Sequence, residues 1–198
     1  VTCKQVQFYN GGNAGVQEGQ ATTTGYMLFK RFNRSISKTS PGVASQNRPS
    51  IIFRLADFYL IYAEVANEVN PSDSRVLTYL NLVRERAGLP KVEILNPGIV
   101  GNKELQRAAI QRERQIELAT EGQRYFDVRR WMIADKDGEG RQNGYAHGMN
   151  VRGTINDTEE FNRVVETEKI VFNRKMYLQP IPDHEMRKTQ NLVQNPGW

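Results

Sequence analysis

Apolar positions recur at helical spacing through the middle of the chain. From residue 54 onward, Leu55, Tyr59, Tyr62, Ala66 and Val69 follow one face, while Phe58, Ile61 and Val65 fill a second. A helix apolar nearly all round is expected to be central and buried. Asn70-Pro71 ends it. Ser72 is placed to cap a second helix, with Asp73 in its first turn and a stripe of Val76, Leu77, Leu80, Val83 and Ala87; Gly88 closes it as a left-handed C′ residue. Two helices joined by a short turn over about 35 residues have the length of one tetratricopeptide-type hairpin. No clean second copy follows at that period, which argues against an extended array. After a connector containing Pro97-Gly98, Asn102 caps a third helix through Leu105, Ala109, Ile116 and Ala119, with Arg112 on the same stripe. Gly122 breaks that helix, and Tyr125, Val128 and Met132 continue as a shorter one. This second pair is expected to pack on the first.

The flanks carry a different pattern. Residues 1–50 are low in charge and rich in turn formers, with short strand-like runs at 5–9 and 26–32. Asn10 to Gly15 has the permissive residues of a tight turn. It lacks both the GxGxxG spacing and a following helix, so a dinucleotide loop is rejected. Residues 135–160 read as a long polar loop. Asp135, Asp137 and Glu139 alternate like the start of a calcium loop, but the remaining ligands of an EF-hand are missing from their places. Residues 161–177 alternate enough to form one or two strands. In the tail, Pro180 and Pro182 fix an extended path, with Asp183 capping a short helix. The fold class is therefore mainly α, with tetratricopeptide-like helix hairpins, long irregular loops and a few short strands. Residues 1–50 form a loop and short-strand segment leading into a helical region over 51–198.

Composition narrows the functional classes. The chain carries 27 basic and 22 acidic residues, a net charge of +5, with arginine outnumbering lysine 18 to 9. The arginines sit largely beside glutamate, unlike the one-sided basic face of a nucleic-acid binder. No apolar run reaches the roughly 18–20 residues that span a bilayer. Cys3 is the only cysteine; a lone cysteine reads as a small buried hydrophobe. With two histidines 37 positions apart and no HExxH, a zinc site is not supported, and no cofactor is implied.

Residues 112–131 hold the densest chemistry. Glu113, Glu117 and Glu121 recur at i, i+4, i+8, so a helix lines them up, where like charges repel unless cations answer them. Arg112, Arg114, Arg124, Arg129 and Arg130 can answer, since a planar guanidinium pairs bidentately with carboxylates in partly buried settings. The run predicts an arginine/glutamate network fastening helices together. The competing reading is a glycoside hydrolase using Glu113 with Glu117 or Asp127. A carboxylate pair suffices for that chemistry when set across a cleft. Here the two glutamates share a helix, and nearby arginines lower carboxylate pKa and spoil a general acid.

Several segments together resemble the SusD/RagB family of surface glycan-binding lipoproteins. They are Arg54-Leu-Ala-Asp57 with Leu60 and Ala63-Glu64; Leu80-Asn81 through Arg84, Arg86 and Gly88; Glu113-Arg114 through Arg130-Trp131; Leu178-Gln-Pro180-Ile-Pro182 with Glu185; and Gln194-Asn-Pro-Gly-Trp198. The final tryptophan departs from the tyrosine more usual in the family. The resemblance spans residues 51–198 and implies that the chain is the C-terminal portion of a longer protein. The family's lipid-anchored cysteine would lie in the absent N-terminal half; Cys3 has no lipobox before it. It further implies a non-catalytic component of an outer-membrane nutrient-uptake system, on the outward-facing surface of a Gram-negative bacterium. Its partners would be an oligosaccharide or polysaccharide and a TonB-dependent transporter. A tetratricopeptide-like scaffold for a protein partner is the alternative.

On this reading Arg54, Asp57, Glu64, Arg84, Arg86, Arg112, Glu113, Glu117, Arg124 and Asp127 form a structural ion-pair network. Sugar recognition needs flat aromatic faces and planar amides on loops held by a rigid frame. Phe8, Tyr9, Asn10, Tyr26 and Tyr145 fit that chemistry.

Overall fold

The computed structural model describes residues 7–13, 22, 24–28, 30, 50–136, 144–154 and 164–198. Six α-helices and two strands occur among them. The chain divides into two compact units, Arg48–Met132 on one side and Val1–Asn47 with Ile133–Trp198 on the other.

The unit Arg48–Met132 contains five helices: α1 (Leu55–Val69), α2 (Ser74–Arg86), α3 (Val92–Leu95), α4 (Lys103–Glu117) and α5 (Gln123–Arg130). Its core gathers Leu60 and Ala63 of α1, Val76, Leu80 and Val83 of α2, Val92 of α3 and Ile110 of α4, with Ile99 from the connector. Each fully buried aliphatic side chain stabilises the unit by roughly 1.5–3 kcal/mol relative to exposure. The hairpin geometry is set by its stops. Asp73, one residue later than the pattern predicts, caps α2 by accepting from the Arg75 N–H at 2.9 Å. At the other end Gly88 has φ +76°, its N–H donates to the Glu85 carbonyl, and the Leu89 N–H donates to Arg84. That pair of bonds is a Schellman motif, which only a residue at ease in the left-handed region completes without strain. Asn102 caps α4 through the Leu105 N–H at 3.1 Å.

Two expectations are corrected here. On α1 the buried positions are Ala56, Asp57, Leu60, Ala63 and Asn67, whereas Leu55, Phe58, Val65 and Val69 are exposed, so the helix is buried on one face only. On α4 the buried positions are Gln106, Ile110, Glu113 and Arg114, while Leu105, Ile116 and Arg112 are exposed. Asp57, Glu113 and Arg114 hold the inner face because ion-pair partners across the interface satisfy them. An apolarity count therefore selects the wrong side of the helix.

Buried amides tie these elements. Asn81 accepts from the Val92 N–H at 3.0 Å and donates to Glu93 at 2.8 Å, fixing α3 against α2. Asn67 donates to the Lys103 carbonyl at 3.0 Å, joining the end of α1 to the start of α4. Beside it Glu68 receives Arg107 through two bonds, at 2.6 and 2.7 Å, and Lys103 at 3.0 Å. The Arg107 bond, against a smaller effect of burial and with help from Lys103, pulls the Glu68 carboxyl from 4.5 down to about 2. A depressed folded-state pKa adds stability that is present above pH 4.5 and lost as pH falls from 4.5 toward 2. The side chain is 42% exposed, so solvent screening keeps the effect below about 1 kcal/mol. Urea unfolding of Glu68→Gln should thus show a loss of about 0.5 kcal/mol at neutral pH that vanishes in acid. An equal loss at both pH values would refute the ion pair as its cause.

The second unit contains strands β1 (Gly144–Met149) and β2 (Val164–Ile170), an antiparallel pair with a register irregularity between Ala146 and His147. β1 falls where the pattern predicts a loop, because Gly144-Tyr-Ala-His-Gly-Met has no alternation to reveal it. After β2 comes a 3-10 turn, Arg174–Tyr177, and then helix α6, Asp183–Met186, whose N-cap is Pro182 in place of Asp183. Tyr177 donates to Asp135 at 2.6 Å. That bond holds the Asp135 carboxyl below its usual range, while burial pushes the Tyr177 hydroxyl up.

Candidate functional site

The charged residues of the helical unit form two linked clamps. In the first, Arg54, immediately before α1, bonds Glu121 at 2.7 Å, Glu117 at 2.5 Å and the Glu117 carbonyl at 2.6 Å. Arg86 at the end of α2 reaches the same Glu117 oxygen at 2.6 Å. Burial opposes the charge on Arg54, but the bonds to Glu121 and Glu117 outweigh it and raise its pKa. Arg84 bonds Glu113 at 2.9 Å and the Pro90 carbonyl at 3.1 Å, so the C-terminal turn of α2 is fastened to α4.

The second clamp is buried. Arg114 spans Asp57 of α1, at 2.9 Å, and both oxygens of Asp127 of α5, at 2.9 and 3.1 Å. Arg130 adds a bond to Asp127 at 2.9 Å and forks onto Glu64, which also receives the Trp131 indole N–H at 2.7 Å. Gly122 at φ +84° makes the turn that lets α5 fold back from α4. Arg124 stacks 5.9 Å from the Trp131 ring centroid and Arg130 4.7 Å from it.

These contacts bring together Arg54, Asp57, Glu64, Arg84, Arg86, Glu113, Glu117 and Asp127. Arg112 is exposed, and the buried guanidinium of α4 belongs to Arg114. The spacing of an arginine two residues from the apolar stripe could have found Arg114, had the glutamate positions been weighted as inner ones. Each of Glu113, Glu117 and Asp127 already accepts from arginine. Among the described residues no cluster of metal-ligating side chains occurs.

The candidate sugar-contacting residues lie in the other unit, Phe8, Tyr9, Asn10 and Tyr26 on two loops fastened to one turn and Tyr145 in β1. Asn10 donates from its backbone to the Gly153 carbonyl at 2.8 Å and forms an isolated parallel bridge with Thr154. Phe8 and Tyr9 precede it and are half-buried, and Gly12 closes the loop onto the Tyr9 carbonyl at 2.9 Å. The second loop is held by the Met149 N–H, which donates to Thr24 at 2.9 Å. Gly25 lies so close to Met149 that an added Cβ would sit 2.8 Å from that side chain. Tyr26, Met27 and Leu28 follow it and are exposed, Tyr26 at 60%. Tyr145 stands in β1 opposite Lys169. Phe29 and Phe32, also aromatic positions of the N-terminal segment, lie outside the described residues.

The tail segments interlock. Gln194 exchanges two hydrogen bonds with the backbone of Ile181, at 2.8 and 2.9 Å, and Asn195 donates to the Gln179 carbonyl at 2.5 Å. Trp198 donates to Leu178 at 3.0 Å, with the Lys175 ammonium 4.2 Å from its ring centroid.

A mainly helical scaffold, with a tetratricopeptide-like hairpin clamped by its own arginine–carboxylate pairs and irregular loops on a separate unit, is thus the class of protein at hand. The chain belongs to the SusD/RagB family: the profile described as the SusD family matches residues 1–198. It is 44% identical over 106 residues to SusD-like protein P25 of Formosa agariphila, covering 54% of this chain and 19% of that one. It is 31% identical over 153 residues to SusD-like protein P2 of the same organism, covering 75% and 26%. Among solved structures, BT4246 superposes with a TM-score of 0.61 at 34% identity, covering 77% of this chain and 24% of that one. A SusD-like protein of Bacteroides fragilis does so at 0.59 and 31%, covering 75% and 26%. The chain therefore spans between a fifth and about a quarter of the length of these relatives. Among the described residues no helix is long and apolar enough to cross a membrane.

Proposed function

We propose that this chain is part of a surface-exposed glycan-binding protein that delivers oligosaccharide to a TonB-dependent outer-membrane transporter and leaves its ligand chemically unchanged. Family membership over the whole chain carries this reading. The engagement of Glu113, Glu117 and Asp127 by arginines supports the non-catalytic part of it. The longer polypeptide would be held at the outer membrane by a lipid anchor. Within it, residues 1–50 serve as a loop and short-strand segment leading into the helical region of 51–198.

Phe8, Tyr9, Asn10, Tyr26 and Tyr145 are the proposed ligand contacts. The attachment of both N-terminal loops to the turn at 149–154 supports a shared face for Asn10 and Tyr26. An exposed phenol ring on a loop fastened at its base offers the flat apolar surface that the underside of a sugar ring requires. Calorimetry of the full-length protein against a polysaccharide panel tests this. One polysaccharide should bind without turnover, and Tyr26→Ala should weaken it about tenfold, or about 1.4 kcal/mol. Cleavage of the polysaccharide would overturn the proposed function, whereas undiminished affinity in Tyr26→Ala would remove only the assigned contact.

A further inference from the structure

Two polar side chains in the interior of the helical unit take no part in the clamps. Asn67 of α1 and Gln106 of α4 are each 1% exposed. A buried amide carbonyl without a donor is costly, and native interiors seldom keep one. Yet Asn67 Oδ1 and Gln106 Oε1 are both shielded from solvent and receive no hydrogen bond among the described residues. For Asn67 the orientation of the amide is fixed by its neighbour: Nδ2 donates to the Lys103 carbonyl at 3.0 Å. A backbone carbonyl only accepts, so turning the amide over would set oxygen against oxygen.

That same bond brings the two amides together. It lays the end of the Asn67 side chain on α4 at Lys103, and Gln106 follows Lys103 by three residues, a spacing that makes side chains neighbours on a helix. The inward positions next to them are Ala63, one turn before Asn67, and Ile110, one turn after Gln106. Both are wholly buried and apolar, so neither supplies a donor. Two acceptors cannot satisfy each other. Whatever joins them has to donate twice.

We infer that one water molecule is held between Asn67 and Gln106, giving one hydrogen to Oδ1 and the other to Oε1. Water is the smallest molecule with two donors, and in a place closed to solvent size decides. Both oxygens belong to neutral amides, which favours a neutral occupant over a cation whose lost hydration they would have to offset. Interiors hold about one such water per 27 residues, bridging polar groups that are otherwise unsatisfied. The site accounts for an inner position of α4 that no ion pair explains. Glu113 and Arg114 meet partners on other helices, whereas Gln106 reaches α1 through the water. The pairs of Glu68 with Lys103 and Arg107 tie the same two helix ends at the surface.

The test uses the full-length protein. A crystal structure at about 1.5 Å resolution should show a water about 2.7–3.2 Å from both oxygens. A protein donor on either oxygen, or no density between them, would overturn the proposal. Hydrogen exchange supplies a second reading through Gln106→Met, which keeps most of the side-chain volume and removes the acceptor. With a bridging water the variant leaves that water short of a partner, and the protected amides of α4 should exchange about tenfold faster. With no water, the substitution removes a buried carbonyl that had no donor, and the same amides should exchange more slowly. Slower or unchanged exchange would therefore also overturn the proposal. Neither reading depends on which glycan binds.

Discussion

Replacing Arg114 with methionine is expected to lower the unfolding free energy by about 3–5 kcal/mol, the usual consequence of removing one partner from a buried ion pair. The side chain is almost wholly buried and donates to Asp57 and to both oxygens of Asp127. Methionine fills much of the space but leaves two carboxylates facing an apolar interior. Asp127 retains Arg130, whereas among the described residues Arg114 is the guanidinium that bonds Asp57. The larger share of the loss should therefore trace to Asp57. Urea unfolding of Arg114→Met beside the double variant Asp57→Asn/Arg114→Met measures this, and the second substitution should return part of the loss. Lysine is expected to rescue poorly, since one ammonium lacks the planar fork that reaches helices α1 and α5 together. A loss below about 1 kcal/mol in Arg114→Met would show that water enters and the clamp is a surface feature.

The two isoleucines of α4 make the second test. Ile110→Ala should cost about 2–5 kcal/mol, because the side chain is fully buried against α1 and α2 and a cavity would remain. Ile116→Ala should fall within about 0.5 kcal/mol of the parent, since that side chain is 54% exposed. Residue type, helix and substitution are the same, so the difference isolates burial. Comparable losses at both positions would mean that α4 presents a different face to the core.

That contrast also shows where sequence reading succeeded and where it failed. α2 and its C-terminal stop were legible because propensity and apolar period agree there: Val76, Leu80 and Val83 face inward, and Gly88 supplies the left-handed stop. On α4 the signals conflict. Leu105 and Ile116 advertise an apolar stripe, yet Glu113 and Arg114 hold the inner face, because bonds from α2 and to α1 and α5 offset their desolvation. No single-helix pattern contains that information, since the partners come from other helices. β1 was hidden for a different reason: a strand without alternating side chains is defined by its pairing with β2. The sugar-contacting candidates had only residue chemistry to recommend them. Loop contacts depend on where backbone bonds such as Asn10 to Gly153 bring the chain, which no spacing encodes.

The division of the chain has a consequence for how it is made. The helical unit is one uninterrupted stretch, Arg48–Met132, whereas the other unit joins the first residues to the last. As the polypeptide leaves the ribosome, α1 to α5 can complete their core and close both clamps while Ile133–Trp198 are still being synthesised. The backbone bonds from Asn10 to Gly153 and from Met149 to Thr24 close only after those later residues have emerged. Stalling synthesis just beyond Met132 should thus leave a protease-resistant helical kernel, a vectorial order of assembly in which the hairpin closes before the long-range loop contacts are made.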